Sequence, residues 1–183
     1  MRKNNKFKVL FVCLGNICRS PTAHGVFQHK VIQRGLQKYI EVDSCGTGDW
    51  HIGHAPDKRS QQKALESGYD LSTLRARQIQ PSDFTEYDFL FAMDNSNLSD
   101  MQAMQQMQKS TDHNPTVDLF LRFGLADPYD KRYKSQSRRA QELDYEVPDP
   151  YYGGDDGFAT VLSLIEAASN SLLDYFEKQL VAS

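Results

Sequence analysis

The sequence predicts a single three-layer α/β domain, in which a four-stranded parallel sheet is flanked by helices. Three observations carry that expectation. Short apolar, β-branched runs alternate with longer stretches of helical periodicity, and helix-start and helix-stop residues stand at their junctions. The 183 residues also contain no Pro/Gly/Ser-rich linker or internal repeat that would divide them. A chain of this length can build one sizeable core, and right-handed crossovers make the strands parallel.

The elements follow in order. Phe7-Lys8-Val9-Leu10-Phe11-Val12 reads as a buried first strand. Ser20 and Pro21 read as N-cap and first residue of a helix to about Arg34, with Ala23, Phe27 and Val31 on one face and Gly35 as its stop. Ile40 to Ser44 is a second strand, and Asp57 to Ser67 a helix entered after Pro56. Phe89 to Met93 is a short buried strand; Ser96 to Met107 is a helix whose Leu98, Met101 and Met104 pack into the core. Val117-Asp118-Leu119-Phe120-Leu121 supplies the fourth strand. Phe158, Val161, Leu162, Ile165, Ala168, Leu172 and Phe176 form the stripe of a long C-terminal helix. Ligands of such open sheets bind at the carboxyl ends of the strands, which is where Cys13 falls.

Charge excludes several functions. With 21 basic and 24 acidic residues the formal charge is −3, so there is no global field for nucleic acid and any anion site must be local. No apolar run approaches ~18 residues, and the apolar stretch after Met1-Arg2-Lys3 is too short for a signal peptide. Neither nucleic acid nor membrane insertion is expected. Three cysteines suit a reducing, cytoplasmic setting better than a disulfide scaffold. The five histidines lack ligand spacing with Cys or acids, so neither metal nor cofactor is expected, and His51-x-x-His54 reads as solvent-facing.

The chemistry concentrates in Cys13-Leu14-Gly15-Asn16-Ile17-Cys18-Arg19-Ser20. Between a strand end and a helix start, the backbone N–H groups of such a loop turn inward and the helix dipole adds partial positive charge, which makes a phosphate-binding loop. Cys13 at the loop's start points its sulfur at those donors, which favours the thiolate nucleophile. Arg19 can close the far side with a bidentate fork that lysine lacks. Gly15 allows a φ that other residues avoid, Asn16 tolerates the left-handed region, and the Ser20 hydroxyl can bond the sulfur. Cys18 either fills the apolar underside of the loop or captures an oxidised Cys13 as a reversible disulfide. Cys45 reads as a buried strand residue.

This octet with Pro21, after Val9-Leu10-Phe11-Val12, resembles the signature of the low-molecular-weight protein tyrosine phosphatases. Asp43-Ser44-Cys45-Gly46-Thr47-Gly48 with Trp50, then Ala76-Arg77-Gln78, Met93 to Leu98, and Asp149-Pro150-Tyr151-Tyr152-Gly153 with Phe158 and Val161 follow in the family's order. The resemblance covers nearly the whole chain. It implies hydrolysis of protein phosphotyrosine through a phosphocysteine intermediate, without metal or cofactor, with Cys13, Arg19 and Asp149 catalytic. It also implies that Leu14, Gly15, Asn16, Ile17, Cys18 and Ser20 bind the phosphate, while Trp50, Tyr151 and Tyr152 sandwich a phenyl ring too deep for phosphoserine to reach. The implied partners are a phosphotyrosine protein substrate and a tyrosine kinase, and the implied assembly is a monomer or weak dimer.

Two Asp-Pro-Tyr sequences compete for the general acid. Asp149 is preferred because the following residues continue the family motif into the long helix; Asp127-Pro128-Tyr129 reads as a turn. Asp127 opens a basic insertion at about 127–146, with Lys131, Arg132, Lys134, Arg138 and Arg139, which is either a solvated face or short helix or an extended rim for acidic phosphopeptides. Relatives commonly have a His just before the basic pair at Arg75 and Arg77; Leu74 stands there, which leaves the hydrogen-bond support of Asn16 open.

The alternatives are three. An arsenate reductase needs later thiols, and no cysteine follows Cys45. Protein arginine phosphatases share the loop but typically carry Thr where Ile17 stands. A silent phosphate-reading module would be expected to lose Cys13, Arg19 or Asp149, and all three are present.

Overall fold

Strand β1 (Phe7–Cys13) forms the spine of the molecule. In this computed structural model, residues 6–108, 113–125, 132–150 and 154–182 are described, the side chains at 154–156 excepted. The expectations placed on Met1-Arg2-Lys3, on Asp127-Pro128-Tyr129 and Lys131, and on Tyr151, Tyr152 and Gly153 lie outside the described residues.

β1 pairs in parallel with β2 (Ile40–Gly46) on one side and β3 (Phe89–Ala92) on the other, and β4 (Thr116–Leu119) completes the order β2-β1-β3-β4. Alternation along β1 divides the core. Val9, Phe11 and Cys13 face α1 (Arg19–Gln33), α5 (Phe120–Leu125) and α7 (Gly154–Val181), whereas Leu10 and Val12 face the layer of α3 (Asp83–Glu86) and α4 (Asn95–Met107). The first layer is aromatic: Phe11 is fully buried in edge contact with Phe27 and Phe120, at ring separations of 5.6 and 4.8 Å. Burying each such ring contributes roughly 1.5–3 kcal/mol, so the floor of the loop that follows β1 is held stiffly. The expected α7 stripe is buried throughout, from Phe158 to Phe176.

The boundaries differ from expectation in ways with physical causes. Helix α1 starts at Arg19, one residue before Ser20, with Cys18 at the N-cap and no side-chain capping bond. Ser20 therefore does not cap; its hydroxyl is engaged in the loop. Gly35, at φ 70°, ends the helix as anticipated. The apolar run Val117 to Leu121 is strand only to Leu119, because Asp118 accepts the Leu119 N–H and pairs with Arg122 one turn on, starting α5. Phe120 and Leu121 are thus helical and turn inward beneath α7. Helix α2 (Lys58–Glu66) is capped by Asp57, whose carboxylate accepts the Arg59 N–H.

Sequence periodicity did not reveal α3, whereas the short helix that was one reading of the basic insertion is present as α6 (Lys134–Glu142). α3 is one turn long, and α6 buries only Ser137 and Ala140, too few positions to make a stripe. The basic side chains of α6 lie at the surface, and Arg139 pairs with Glu142.

Candidate active site

The loop from Cys13 to Arg19 sits at the carboxyl end of the central strand, and the scaffold takes four of its carbonyls. Thr47 N–H donates to Cys13 O, Gly48 N–H to Leu14 O, Asp57 N–H to Ile17 O, and Thr22 N–H to Cys18 O. A trans peptide carries its N–H opposite its C=O, so the following N–H groups face away from these partners, into the bowl over Cys13. The uncapped N-terminus of α1 opens into the same bowl, leaving its first N–H groups for an anion.

Cys13 lies at the bottom, 3% exposed. Its Sγ accepts the Asn16 N–H at 3.2 Å and lies 3.0 Å from the Ser20 hydroxyl, the contact expected of that serine. Asn16 is the loop's left-handed residue, at φ 53°; Gly15, to which that freedom was assigned, has no positive φ. At Gly15 the constraint is instead space, since a Cβ there would stand 3.0 Å from the His51 ring, which would have to shift. Gly46 has a stricter role: a Cβ at that position would meet Leu14 O at 2.6 Å, so the end of β2 can pass under the loop only as glycine.

Asn16 is fully engaged. Its Oδ1 accepts the Arg77 N–H at 3.0 Å, and its Nδ2 donates to Ser20 Oγ at 2.9 Å and Ser44 Oγ at 3.0 Å. The support left open by Leu74 therefore comes from β2 and from the Arg77 backbone, while Leu74 packs against the core. Arg77 is itself clamped, donating to Asp43 and, with two nitrogens, to Asp83.

Arg19 is buried and aimed. Its Nη1 donates to Asp94 Oδ2 at 2.6 Å and to Val147 O at 3.3 Å, and its Nη2 stands 3.9 Å from Asp149 Oδ2. Burial opposes its charge, but the Cys13 sulfur and the Asp94 and Asp149 carboxylates hold its pKa above the ordinary arginine value. Asp94 serves twice, for its other oxygen caps α4 by accepting the Asn97 N–H at 2.7 Å. The sequence reading placed Asp94 in a motif without giving it a role; its N-cap position ahead of a helix was the available signal.

Cys13, Leu14, Gly15, Ile17, Cys18 and Arg19 line a cleft of about 440 Å³, and Trp50, His51, Asp57 and Asp149 complete its walls. Asn16 and Ser20 stand beneath it as scaffold. Trp50 folds over Gly48 and remains 66% exposed, an apolar wall facing solvent. His51 is half-buried against the loop, which corrects its reading as solvent-facing. The sequence marks Asp57 only as the start of a helix; its place in the cleft wall comes from the fold. Cys18 also faces the cleft rather than only the loop's underside. Burial pushes its thiol up to about 11, with the Ser60 hydroxyl working against the shift and Asp57 reinforcing it. Nearly complete burial raises the Cys45 thiol well above its ordinary value, with the Arg77 charge opposing. Both stay protonated near neutrality. Among the described residues no cluster of His, Cys, Asp or Glu is placed to hold a metal ion.

The sequence matches the family described as low molecular weight phosphotyrosine protein phosphatase over residues 8–182. It is 39% identical over 173 residues to the low molecular weight protein-tyrosine-phosphatase of Streptomyces coelicolor, covering 94% of this chain and 95% of that one. Among solved structures, YfkJ from Bacillus subtilis superposes with a TM-score of 0.78 at 32% identity, covering 97% of this chain and 99% of that one. A Drosophila arginine phosphatase superposes with a TM-score of 0.78 at 30% identity, over 93% and 98% of the two chains.

Proposed function

The chain belongs to the low molecular weight phosphotyrosine protein phosphatase family, and from that premise we propose that it hydrolyses protein phosphotyrosine with Cys13 as nucleophile, Arg19 as phosphate clamp and Asp149 as acid and then base. The observation that carries this reading is the meeting of Cys13 Sγ, Arg19 and Asp149 in one cleft, on a loop four of whose carbonyls are already bonded to the scaffold.

The steps balance with the residues present. Cys13 Sγ attacks phosphorus as the P–O bond to the tyrosyl oxygen breaks, and protonated Asp149 gives that oxygen its proton. The resulting Asp149 carboxylate takes a proton from water, whose oxygen displaces sulfur from phosphorus. Inorganic phosphate and the Cys13 thiolate result. Arg19 and the loop N–H groups bind the charge on the equatorial oxygens throughout. The Ser20 hydroxyl, 3.0 Å from Sγ and 3.2 Å from Cys45 O, stabilises the sulfur as leaving group in the second step by turning its hydrogen from that carbonyl to the sulfur. Cys13 must be a free thiol to act, which supports a reducing, cytoplasmic setting; among the described residues no helix is long and apolar enough to cross a membrane.

Asp94→Asn separates that residue's two duties. Asparagine caps a helix as well as aspartate does, so the α4 cap survives and any fall in the melting temperature comes from the lost Arg19 ion pair. The Arg19 fork, however, loses its charged anchor, and kcat/KM on a phosphotyrosine peptide should fall on the order of tenfold or more through misplacement of the clamp. A thermal melt and a steady-state assay on the same preparation check both halves.

The likeness to an arginine phosphatase supports a second reading, in which the leaving group is a guanidine. Ile17 distinguishes the two, since it presents a side chain without a hydroxyl to the cleft. Phosphotyrosine peptides should be turned over in preference to phosphoarginine and phosphoserine peptides, and Ile17→Thr should raise the relative rate on phosphoarginine. Equal wild-type kcat/KM on phosphotyrosine and phosphoarginine would favour the second reading.

A further inference from the structure

His24 projects from the second turn of α1 with its side chain 13% exposed, and its Nδ1 stands 3.3 Å from Ser44 Oγ. The distance leaves the direction of that contact open, and Asp43 Oδ1 stands 3.8 Å from the same nitrogen; the partners of the buried Ser44 hydroxyl favour one direction. The Arg77 N–H can only donate, so the Asn16 oxygen must face it and the Asn16 amide nitrogen must face Ser44. Ser44 Oγ therefore accepts from Asn16 and its single hydrogen needs an acceptor. His24 Nδ1 provides one when the imidazole is neutral and carries its proton on Nε2. Burial depresses the His24 pKa, Asp43 from β2 opposes the shift and Arg77 adds to it, which agrees with a neutral ring.

We propose that His24 is a positioning residue for the phosphate loop: by accepting the Ser44 hydroxyl proton it holds Asn16 in the left-handed conformation that aims the Asn16 N–H at Cys13 Sγ. The chain of bonds runs from His24 Nδ1 to Ser44 Oγ, to Asn16 Nδ2, and through the Asn16 backbone to the sulfur. Each hydroxyl that donates becomes a better acceptor, so the far end stiffens the near one. Asn16 Nδ2 also reaches Ser20, the second contact of the sulfur, so losing Ser44's alignment would disturb both groups around Cys13. His24 itself does not line the cleft, which separates this role from direct contact with a bound phosphate.

This inference rests on the proposed function for its importance but not for its test. The dissociation constant for inorganic phosphate, by calorimetry, and the rate of Cys13 alkylation by iodoacetate, by mass spectrometry, are read without turnover. His24→Ala should weaken phosphate binding and slow alkylation by about tenfold, the effect of stranding one buried hydroxyl donor. His24→Asn places an amide oxygen near the site of Nδ1 and should restore both to within about threefold of wild type. Ser44→Ala should reproduce the His24→Ala loss, and the double variant should be no worse than Ser44→Ala, because the two residues act in series. Wild-type phosphate affinity in a folded His24→Ala, or a double variant whose losses multiply, overturns the proposal. If His24→Ala does not fold, His24→Asn decides: a folded His24→Asn that has lost phosphate affinity overturns it, and one that keeps affinity supports it. Histidine-dependent phosphate binding in a protein that hydrolyses no phosphotyrosine would sustain this inference and overturn the proposed function.

Discussion

Cys13→Ser removes turnover of phosphotyrosine peptides, by on the order of 10⁵-fold or more in kcat, the scale seen when a covalent nucleophile is deleted. The serine hydroxyl ionises far less readily than a thiol and cannot attack phosphorus at neutral pH. Phosphate affinity should survive. The loop carbonyls remain bound to Thr47, Gly48, Asp57 and Thr22, Arg19 remains anchored by Asp94, and the uncapped start of α1 is unchanged. Calorimetric titration with inorganic phosphate and a stopped assay on the same protein give the two readouts. Substantial residual turnover would exclude the covalent route through Cys13.

Asp149→Asn should slow phosphotyrosine hydrolysis by roughly 10² to 10⁴, because the departing phenolate, with a conjugate acid of pKa ~10, leaves poorly without a proton. Nitrophenyl phosphate, whose leaving group is a weaker base, should lose much less. The ratio of the two losses is diagnostic, since a change that only disturbed binding would lower both substrates alike. The position of Asp149 supports the role: its side chain is about half exposed at the cleft mouth, 3.9 Å from Arg19 Nη2 and so within reach of an ester oxygen above the clamped phosphate. Asp127→Asn should change either rate little. A larger defect there than in Asp149→Asn would transfer the acid to Asp127.

Local sequence determined the fold class and the reacting loop. Strand and helix periods were legible in β1, α1, α4 and α7 because each buries a regular face, as at Val9/Phe11 against Leu10/Val12 and from Phe158 to Phe176. The octet from Cys13 to Ser20 was legible because anion binding by backbone N–H groups needs a short contiguous loop, whose residue types are adjacent in the chain. Elements whose burial is not periodic were less legible: α3, with one turn, and the passage of β4 into α5, which depends on the side-chain bonds of Asp118, were not read, and α6, with two buried residues, was legible only as a short helix without bounds, one reading of the charge run.

Tertiary structure alone decided what holds that loop. Ser44, Arg77 and Asp94 lie 28, 61 and 75 residues from the loop groups they touch, His24 lies 20 from the Ser44 through which it acts, and each is an ordinary capping, strand, turn or helix residue in its own neighbourhood. Beyond the N-cap position of Asp94, nothing local distinguishes them, because their partners are set by the parallel register that brings Cys13 beside Gly46 and Val12 beside Ala92. The same holds for Gly15 and Asn16. The loop sequence offered both as candidates for the left-handed position, and the choice fell to Asn16, whose side chain alone can bond Arg77, Ser20 and Ser44 at once, while Gly15 lies against His51. A chain states which groups can react; where each is aimed depends on contacts made only when distant segments pack.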